Sequence, residues 1–183
     1  MWEDNVSERR RSKVDATRLG PWLCSRSAFF KRMDPKTTEA LLERGRVRRY
    51  ARNSVVCRQG ESALTFYVVV EGTLSAKVSR EGVEREIGSY QSGEFAGGLA
   101  LMRQQPWPFS LHAGTDVEAI EFDARAISQY IAALRPTAID FLRHFSSEMA
   151  RDSRDLYQKT VSLVGQINAQ TRGSGGTFRR EDR

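Results

Sequence analysis

The stretch from Gly93 to Ala113 reads Gly-Glu-Phe-Ala-Gly-Gly-Leu-Ala-Leu-Met-Arg-Gln-Gln-Pro-Trp-Pro-Phe-Ser-Leu-His-Ala. It holds the residue types best suited to chemistry in this chain. Glycine frees the backbone to present successive N–H groups, and the first N–H groups of a helix have no intrahelical partner. A helix opening near Gly97, Gly98, Leu99 and Ala100 would aim free donors and a positive dipole end at an anion. That is binding chemistry, not catalysis. Elsewhere the chemical vocabulary is thin. The chain has 2 histidines, His112 and His144, and each reads as a packing residue of a strand or helix. No Ser-His-Asp set or carboxylate pair has a catalytic spacing, so no enzyme signature is present. Cys24 and Cys57 form no Cys-x-x-Cys pair and sit beside no histidine cluster. They read as reduced thiols of a cytoplasmic protein, with no metal and no cofactor expected. The run Arg172-Gly173-Ser174-Gly175-Gly176 lacks the strand and helix that flank a phosphate loop, and reads as a linker.

The formal net charge is +6, and much of it gathers at Arg44, Arg46, Arg48, Arg49, Arg52 and Arg58, with no acid between the first and the last. Such a cluster could be an interaction surface for an acidic partner. The expected reading is instead a solvated strand face whose arginines pair with acids elsewhere in the chain. Tyr50 is the single aromatic residue within the cluster, short of the repeated interleaving that recognises single-stranded nucleic acid, and sequence-specific DNA binding is not expected. No run approaches the roughly 18 apolar residues of a membrane span, and the charged segment Met1–Lys13 has no apolar core of a secretory signal.

These residues must be positioned by strands. The chain has 183 residues, enough for one domain with a core plus extensions. Residues 1–20 are polar and read as a mobile arm. Trp22, Leu23, Phe29, Phe30 and Met33 supply a first apolar set, expected as a short helix and turn. Asp34-Pro35 is a helix start, with Asp as N-cap and Pro at the first position, and the helix is expected from Lys36 to about Gly45 with Ala40, Leu41 and Leu42 facing a core. The period then becomes two. Arg46–Ala51, Val55–Arg58, Phe66–Val70, Leu74–Val78, Glu84–Ile87, Phe109–Ala113 and Val117–Phe122 read as strands, punctuated by Asn53, Gly60, Gly72, Gly82 and Gly93. Short strands at this turn spacing imply a sandwich or barrel, over residues 21–135. Asp123 is expected to cap a helix ending near Leu134. Pro136 opens a longer one over 136–168, along which Leu142, Met149, Leu156 and Leu163 recur every seven residues. The seam is half polar, so its first turns could pack on the chain's own barrel near Phe145 while the distal turns join a second copy. Residues 169–183 read as a disordered tail.

Taken in order, these elements and motifs resemble the cyclic nucleotide-binding domain family. The residues that carry the likeness are Gln59-Gly60-Glu61, Phe66-Tyr67-Val68-Val69-Val70-Glu71-Gly72, Gly93-Glu94, Gly97, Leu99-Ala100-Leu101, Pro106 and Thr115-Asp116-Val117-Glu118, and they span about residues 28 to 165. The resemblance implies a mainly β fold with helices: an antiparallel β-roll (jelly roll) with one helix before it and two after it. It also implies that a phosphate-binding cassette lies within the roll.

In the family that cassette reads roughly Phe-Gly-Glu-Leu-Ala-Leu, then, after a gap, Pro-Arg-Ala-Ala-Thr or Ser. Backbone amides and the arginine hold the cyclic phosphate, and the glutamate accepts from the ribose hydroxyl. Here the matching residues are Ala96-Gly97-Gly98-Leu99-Ala100-Leu101 and Pro106-Trp107-Pro108-Phe109-Ser110. Gly98 stands for the glutamate, Trp107 for the arginine, and Pro108 has no N–H to donate. Phe109 replaces a small residue. Hydrogen bonds to a charged group contribute about 1.5–3 kcal/mol each, so these losses weaken phosphate binding by at least ~3–6 kcal/mol, two to four decades in affinity. The amides of Leu99 and Ala100 remain. Arg103 and Arg58 are possible replacement cations, although each also reads as a solvated surface arginine. Trp107 either stacks on a base or, with Phe109, fills the pocket, and filling is the expected reading.

The expected function is a non-catalytic regulatory module that has a degenerate cassette and works through protein contacts, its partner's identity open. Any ligand would meet Gly97, Gly98, Leu99, Ala100, Arg103, Trp107 and Ser110, with cAMP and cGMP disfavoured. A sensor of another nucleotide, such as a cyclic dinucleotide, is the alternative. A transcription factor is not expected, because about 15 residues follow Asn168, too few for a helix-turn-helix.

Overall fold

Where the sequence alternates in apolar character the chain forms strands, and these assemble into two antiparallel sheets. The computed structural model describes residues 12–98, 105–151, 154 and 158. Among the described residues nine strands run β1 Ser12–Lys13, β2 Gly45–Tyr50, β3 Val55–Cys57, β4 Thr65–Glu71, β5 Leu74–Arg80, β6 Val83–Tyr90, β7 Phe95–Ala96, β8 Ser110–Ala113 and β9 Val117–Asp123. One sheet has five strands in the order β1-β2-β9-β4-β7, and the other has four in the order β3-β8-β5-β6. The chain crosses repeatedly between the two, which makes a roll and not a meander.

Turn chemistry sets the register. β5 and β6 pair from Arg80↔Val83 to Leu74↔Tyr90, closed by Glu81 and Gly82 at φ 54° and 78°, the positive pair that a tight hairpin requires. β4 pairs with β9 through Phe66↔Phe122 and Val68↔Ile120, and β2 lies on the other side of β9.

Alternation along the central strands splits the apolar residues between two cores. One face carries Phe66, Ile120 and Phe122, which are fully buried with Phe30 and Phe141 from the helical segments. The rings stack at 4.7 Å between Phe66 and Phe122. The opposite face turns into the roll and gathers Tyr67, Val69, Ala96, Trp107, Leu111, Val117 and Ala119 in a second cluster.

The helices lie where apolar stripes and caps predict, with one departure. Helix α1, Ala16–Arg26, is capped by Asp15, whose carboxylate accepts from the Arg18 N–H. It starts inside the segment expected to be an arm through residue 20, and Ser12–Lys13 pairs with β2. Gly20-Pro21 reads locally as a breaker, but burial of Leu19, Gly20 and Leu23 outweighs it. Helix α2, Pro35–Leu42, has Asp34 as N-cap and ends before Gly45, which instead opens β2. Its buried side chains include Thr37 and Thr38 as well as Leu41 and Leu42. Helix α3, Ala124–Ala132, is capped by Asp123 as expected.

Contacts divide the chain into two units at residues 145 and 146. Within the first, α4 covers 136–145. Phe141 and Phe145 are buried, and Phe145 meets Phe95 edge-on at 5.6 Å, so this end of the heptad pattern packs on its own roll. Within the second unit, residues 146–151, 154 and 158 are helical, and Arg151 pairs with Glu148 at 2.8 Å.

Candidate functional site

The described part of the cassette is built by β7 and by the segment 105–109 that leads into β8. β7 is short because Gly93 and Gly97 bracket it, both with positive φ, 87° and 95°. On its outer side Phe95 stacks on Phe29 at 5.4 Å. Gly97 and the buried Gly98 follow. Leu99, Ala100 and Arg103, and with them the cassette amides and the replacement cation expected in the gap, lie outside the described residues.

Trp107 sits inside the roll, 2% exposed. Its backbone is fixed at both groups: the Trp107 N–H donates to Glu61 O at 2.8 Å, and Trp107 O accepts from Gly60 N–H at 2.8 Å. Pro106 bridges to Ser62 beside them. The segment after the cassette is thus stitched to the Gln59-Gly60-Glu61 turn, and that fastening drives the indole inward. A Cβ added at Gly97 would collide with Trp107 Cη2, and Cζ2 and Cζ3 would lie at 3.1 and 3.2 Å. Glycine at 97 therefore serves the close approach of the ring as well as the φ angle.

The indole belongs to a continuous line of rings. It lies 6.2 Å from Tyr67 and 5.8 Å from Phe109. Tyr67 in turn lies 6.5 Å from Tyr50, and Phe109 lies 6.4 Å from Tyr90. Burial raises the Tyr67 phenol to about 12, with the nearby Glu121 carboxylate adding to the rise and the Thr65 hydrogen bond opposing it. Burial also pushes Tyr50 upward. Both phenols are neutral at physiological pH. The interior offers aromatic surface and no free cation among the described residues.

Ser110, a candidate ligand contact, is engaged within the protein: its Oγ accepts from the Gln59 N–H at 3.0 Å. Arg58 is exposed on the turn, where its Nη1 lies 3.7 Å from Glu61 Oε1. The structure thus brings Gly97, Trp107 and Ser110 to one segment of the roll and leaves Arg58 on the outside of the turn. Sequence reasoning missed Tyr67 as a neighbour of Trp107 and Tyr50 as the next ring in the line. Their positions on the inward alternation of β2 and β4 were the available signal.

The arginine cluster resolves into pairs. Arg49 Nε donates to Glu118 at 2.7 Å. Arg48 Nε lies 2.6 Å from Glu121 Oε2, but its N–H does not point at the carboxylate, so the contact is an ion pair without a hydrogen bond. Arg44 places its guanidinium 4.3 Å from the centroid of the Tyr130 ring. Arg46 is exposed. Arg44, Arg48 and Arg49 are therefore committed within the fold. His112 is mostly buried, 3.8 Å from Glu84, and His144 lies 3.3 Å from Asp140, whose carboxylate also accepts from the Asp34 N–H. Of the helix seam, Leu142 is half-buried in the first unit, Met149 lies in the second, and Leu156 and Leu163 are outside the described residues.

Comparison with known proteins agrees with this architecture. The family described as "Cyclic nucleotide-binding domain" matches residues 47–133. The cAMP-activated global transcriptional regulator CRP of Salmonella typhimurium is 32% identical over 133 residues, 72% of this chain and 61% of that protein. The chain thus spans about three fifths of that relative's length. A solved cyclic nucleotide-binding domain from Methylobacillus flagellatus superposes with a TM-score of 0.72 at 11% identity, covering 84% of this chain and 88% of that one. The c-di-GMP responsive global regulator CLP of Xanthomonas campestris gives a TM-score of 0.62 at 27% identity, covering 72% of this chain and 65% of that one. With its two-sheet roll, flanking helices and cassette strand in the family's order, the chain carries, over residues 47–133, a domain of the cyclic nucleotide-binding domain family.

Proposed function

We propose that this chain is a non-catalytic regulatory module of the cyclic nucleotide-binding type, that its roll does not take up cAMP or cGMP in the family's usual way, and that it acts through protein contacts. The observation that carries this reading is Trp107. It occupies the cassette position where the family has the phosphate's arginine, and it is 2% exposed, held against Gly97 and between Tyr67 and Phe109. A neutral ring there supplies no charge for a phosphate, and moving it out would expose a large apolar surface. Gly98 has no carboxylate for a ribose, and Pro108 has no N–H. Isothermal titration of the full chain with cAMP and with cGMP tests the proposal. The expected result is no heat of binding below the millimolar range, and micromolar binding of either nucleotide would sink it.

A second reading has one observation in its favour, the 27% identity to a regulator described as c-di-GMP responsive. On that reading Trp107 stacks on a base and Arg103 or Arg58 meets phosphate. The burial of Trp107 and the contact between Arg58 and Glu61 weigh against it. Including cyclic di-GMP in the titration separates the two, since a specific ligand binds with a defined stoichiometry.

A further inference from the structure

Between α1 and the ends of β4 and β9 lies an open cavity of about 500 Å³ on the outside of the roll. Its floor is apolar, formed in part by Leu19 and Val70, and one wall is a single stripe of α1: Arg18, Trp22 and Arg26. These residues are spaced by four, so they follow one another at about 6 Å along the helix and span roughly 12 Å. Both arginines are exposed, and among the described residues neither side chain has an acid or hydrogen-bond partner. The acids in the lining are disposed differently. Glu118 is taken by Arg49 at 2.7 Å, and Glu71, exposed, lines the cavity from the end of β4. The uncommitted charge along the α1 wall is thus two guanidinium groups flanking an indole.

We propose that this cavity docks an acidic segment of a partner protein, bound extended, with two carboxylates four residues apart and an apolar side chain midway. An extended chain directs residues i, i+2 and i+4 to one side at steps of about 6.6 Å, which match the steps of the arginine–indole–arginine stripe. Each guanidinium pairs with a carboxylate in forked geometry, and the middle side chain lies on the indole and on the floor. The volume falls in the range of ordinary binding pockets, roughly 300–1,000 Å³. The net charge of +6 favours encounter with an acidic segment. The inference rests on the reading that the chain works through protein contacts, and it names the surface and the partner's chemistry.

The probe is a fluorescein-labelled peptide, Gly-Glu-Ser-Leu-Ser-Glu-Gly, titrated with the full chain and read by fluorescence anisotropy at low salt. Saturable binding is expected, at least tenfold tighter than for the isomer Gly-Glu-Glu-Leu-Ser-Ser-Gly and weakened at least tenfold in 0.3 M salt. The double reversal Arg18→Glu with Arg26→Glu should abolish that preference and create binding to Gly-Lys-Ser-Leu-Ser-Lys-Gly, with an unchanged melting temperature because both side chains are exposed. Equal affinity for the two acidic isomers, or binding that survives the reversal, overturns the proposal. So does binding that appears only after removal of residues 1–8, since Trp2, Glu3, Asp4 and Glu8 would then mark the chain's own N-terminal segment as the occupant. Nucleotide binding in the roll would sink the proposed function and leave this peptide result standing, while failure of the peptide would leave the nucleotide titration untouched.

Discussion

Replacing Trp107 by alanine tests whether the ring holds the roll together. The backbone hydrogen bonds of residue 107 to Gly60 and Glu61 do not need the side chain, so the substitution removes the indole alone. Truncating a buried tryptophan costs about 3–5 kcal/mol through lost burial and the cavity left behind. With a urea slope near 2 kcal/mol per M, the unfolding midpoint should fall by roughly 2 M. A domain whose stability lies in the ordinary range of about 5–15 kcal/mol stays folded in water in most of that span, and Trp107→Phe supplies a milder variant. Gly97→Ala makes the test specific. Alanine at a φ of 95° costs on the order of 1–2 kcal/mol from backbone strain, and its Cβ meets the indole, adding about 1–3 kcal/mol of overpacking. In the Trp107→Ala background only the backbone cost survives. Equilibrium unfolding of the four proteins should therefore show a coupling of about 1–3 kcal/mol between the two sites. A cost of Gly97→Ala that is the same in both backgrounds would refute the close approach. A Trp107→Ala cost under about 1 kcal/mol would refute the packing.

Two further outcomes follow from the titrating groups. Burial raises the Cys57 thiol to about 12, so its thiolate fraction at pH 8 is on the order of 10⁻⁴, while Cys24 is only partly buried. A colorimetric thiol reagent should label Cys24 in the native protein and Cys57 only after denaturant is added, and equal rates for both would contradict the burial of Cys57. His112 is lowered from 6.5 by burial first and by Lys77 next, with Arg58 acting the same way and Glu84 opposing. Because the folded form holds its proton less tightly, the unfolded state binds more protons as pH falls through about 6.5, and stability falls with it, levelling off below the folded value. Urea midpoints at pH 7.5 and pH 5 should converge in His112→Gln relative to the parent, and an identical pH dependence in both would remove His112 as the cause.

Much of the roll was legible because each signal was local. Alternation named the strands, glycine and Asn53 named the turns, and Asp34 and Asp123 named two helix starts. Of helix α1 only the end around Trp22 and Leu23 was legible as a short helix; its start at Ala16 was not, because Gly20-Pro21 argues against a helix over any short window. Only the burial of Leu19 and Leu23 beneath neighbouring elements overcomes that local preference, and such contacts have no trace in local sequence. The stripe Arg18, Trp22 and Arg26 was lost with it, although its spacing of four was visible once a helix was assumed. The arginine cluster agrees with the favoured reading of a strand face paired with acids elsewhere. Which acids those are was not legible, because cross-strand registers such as Arg49↔Glu118 pair Arg49 with an acid about seventy residues away. On the proposed reading the cassette lacks a charge and a donor, which residue types alone point to, but the depth of Trp107 depends on its fastening to the turn at Gly60, a contact between segments far apart in sequence.

These features bear jointly on how such a module would signal. A ligand shifts a protein between states only by its difference in affinity for them. In a roll whose interior is occupied by its own Tyr67, Trp107 and Phe109, a nucleotide must first displace a ring whose burial accounts for about 3–5 kcal/mol. A ligand of micromolar intrinsic affinity, about 8 kcal/mol, would retain roughly 3–5 kcal/mol, a Kd of about 0.2–6 mM. On the proposed reading, the interior then acts as a fixed brace and not as a sensor. Input has to arrive at a surface that can be occupied without reopening that core. The α1 cavity meets this condition, because its arginines are exposed and its floor residue Val70 lies on β4, the strand that carries Tyr67 to the indole. A partner seated there would press on the strand that carries Tyr67 into the roll.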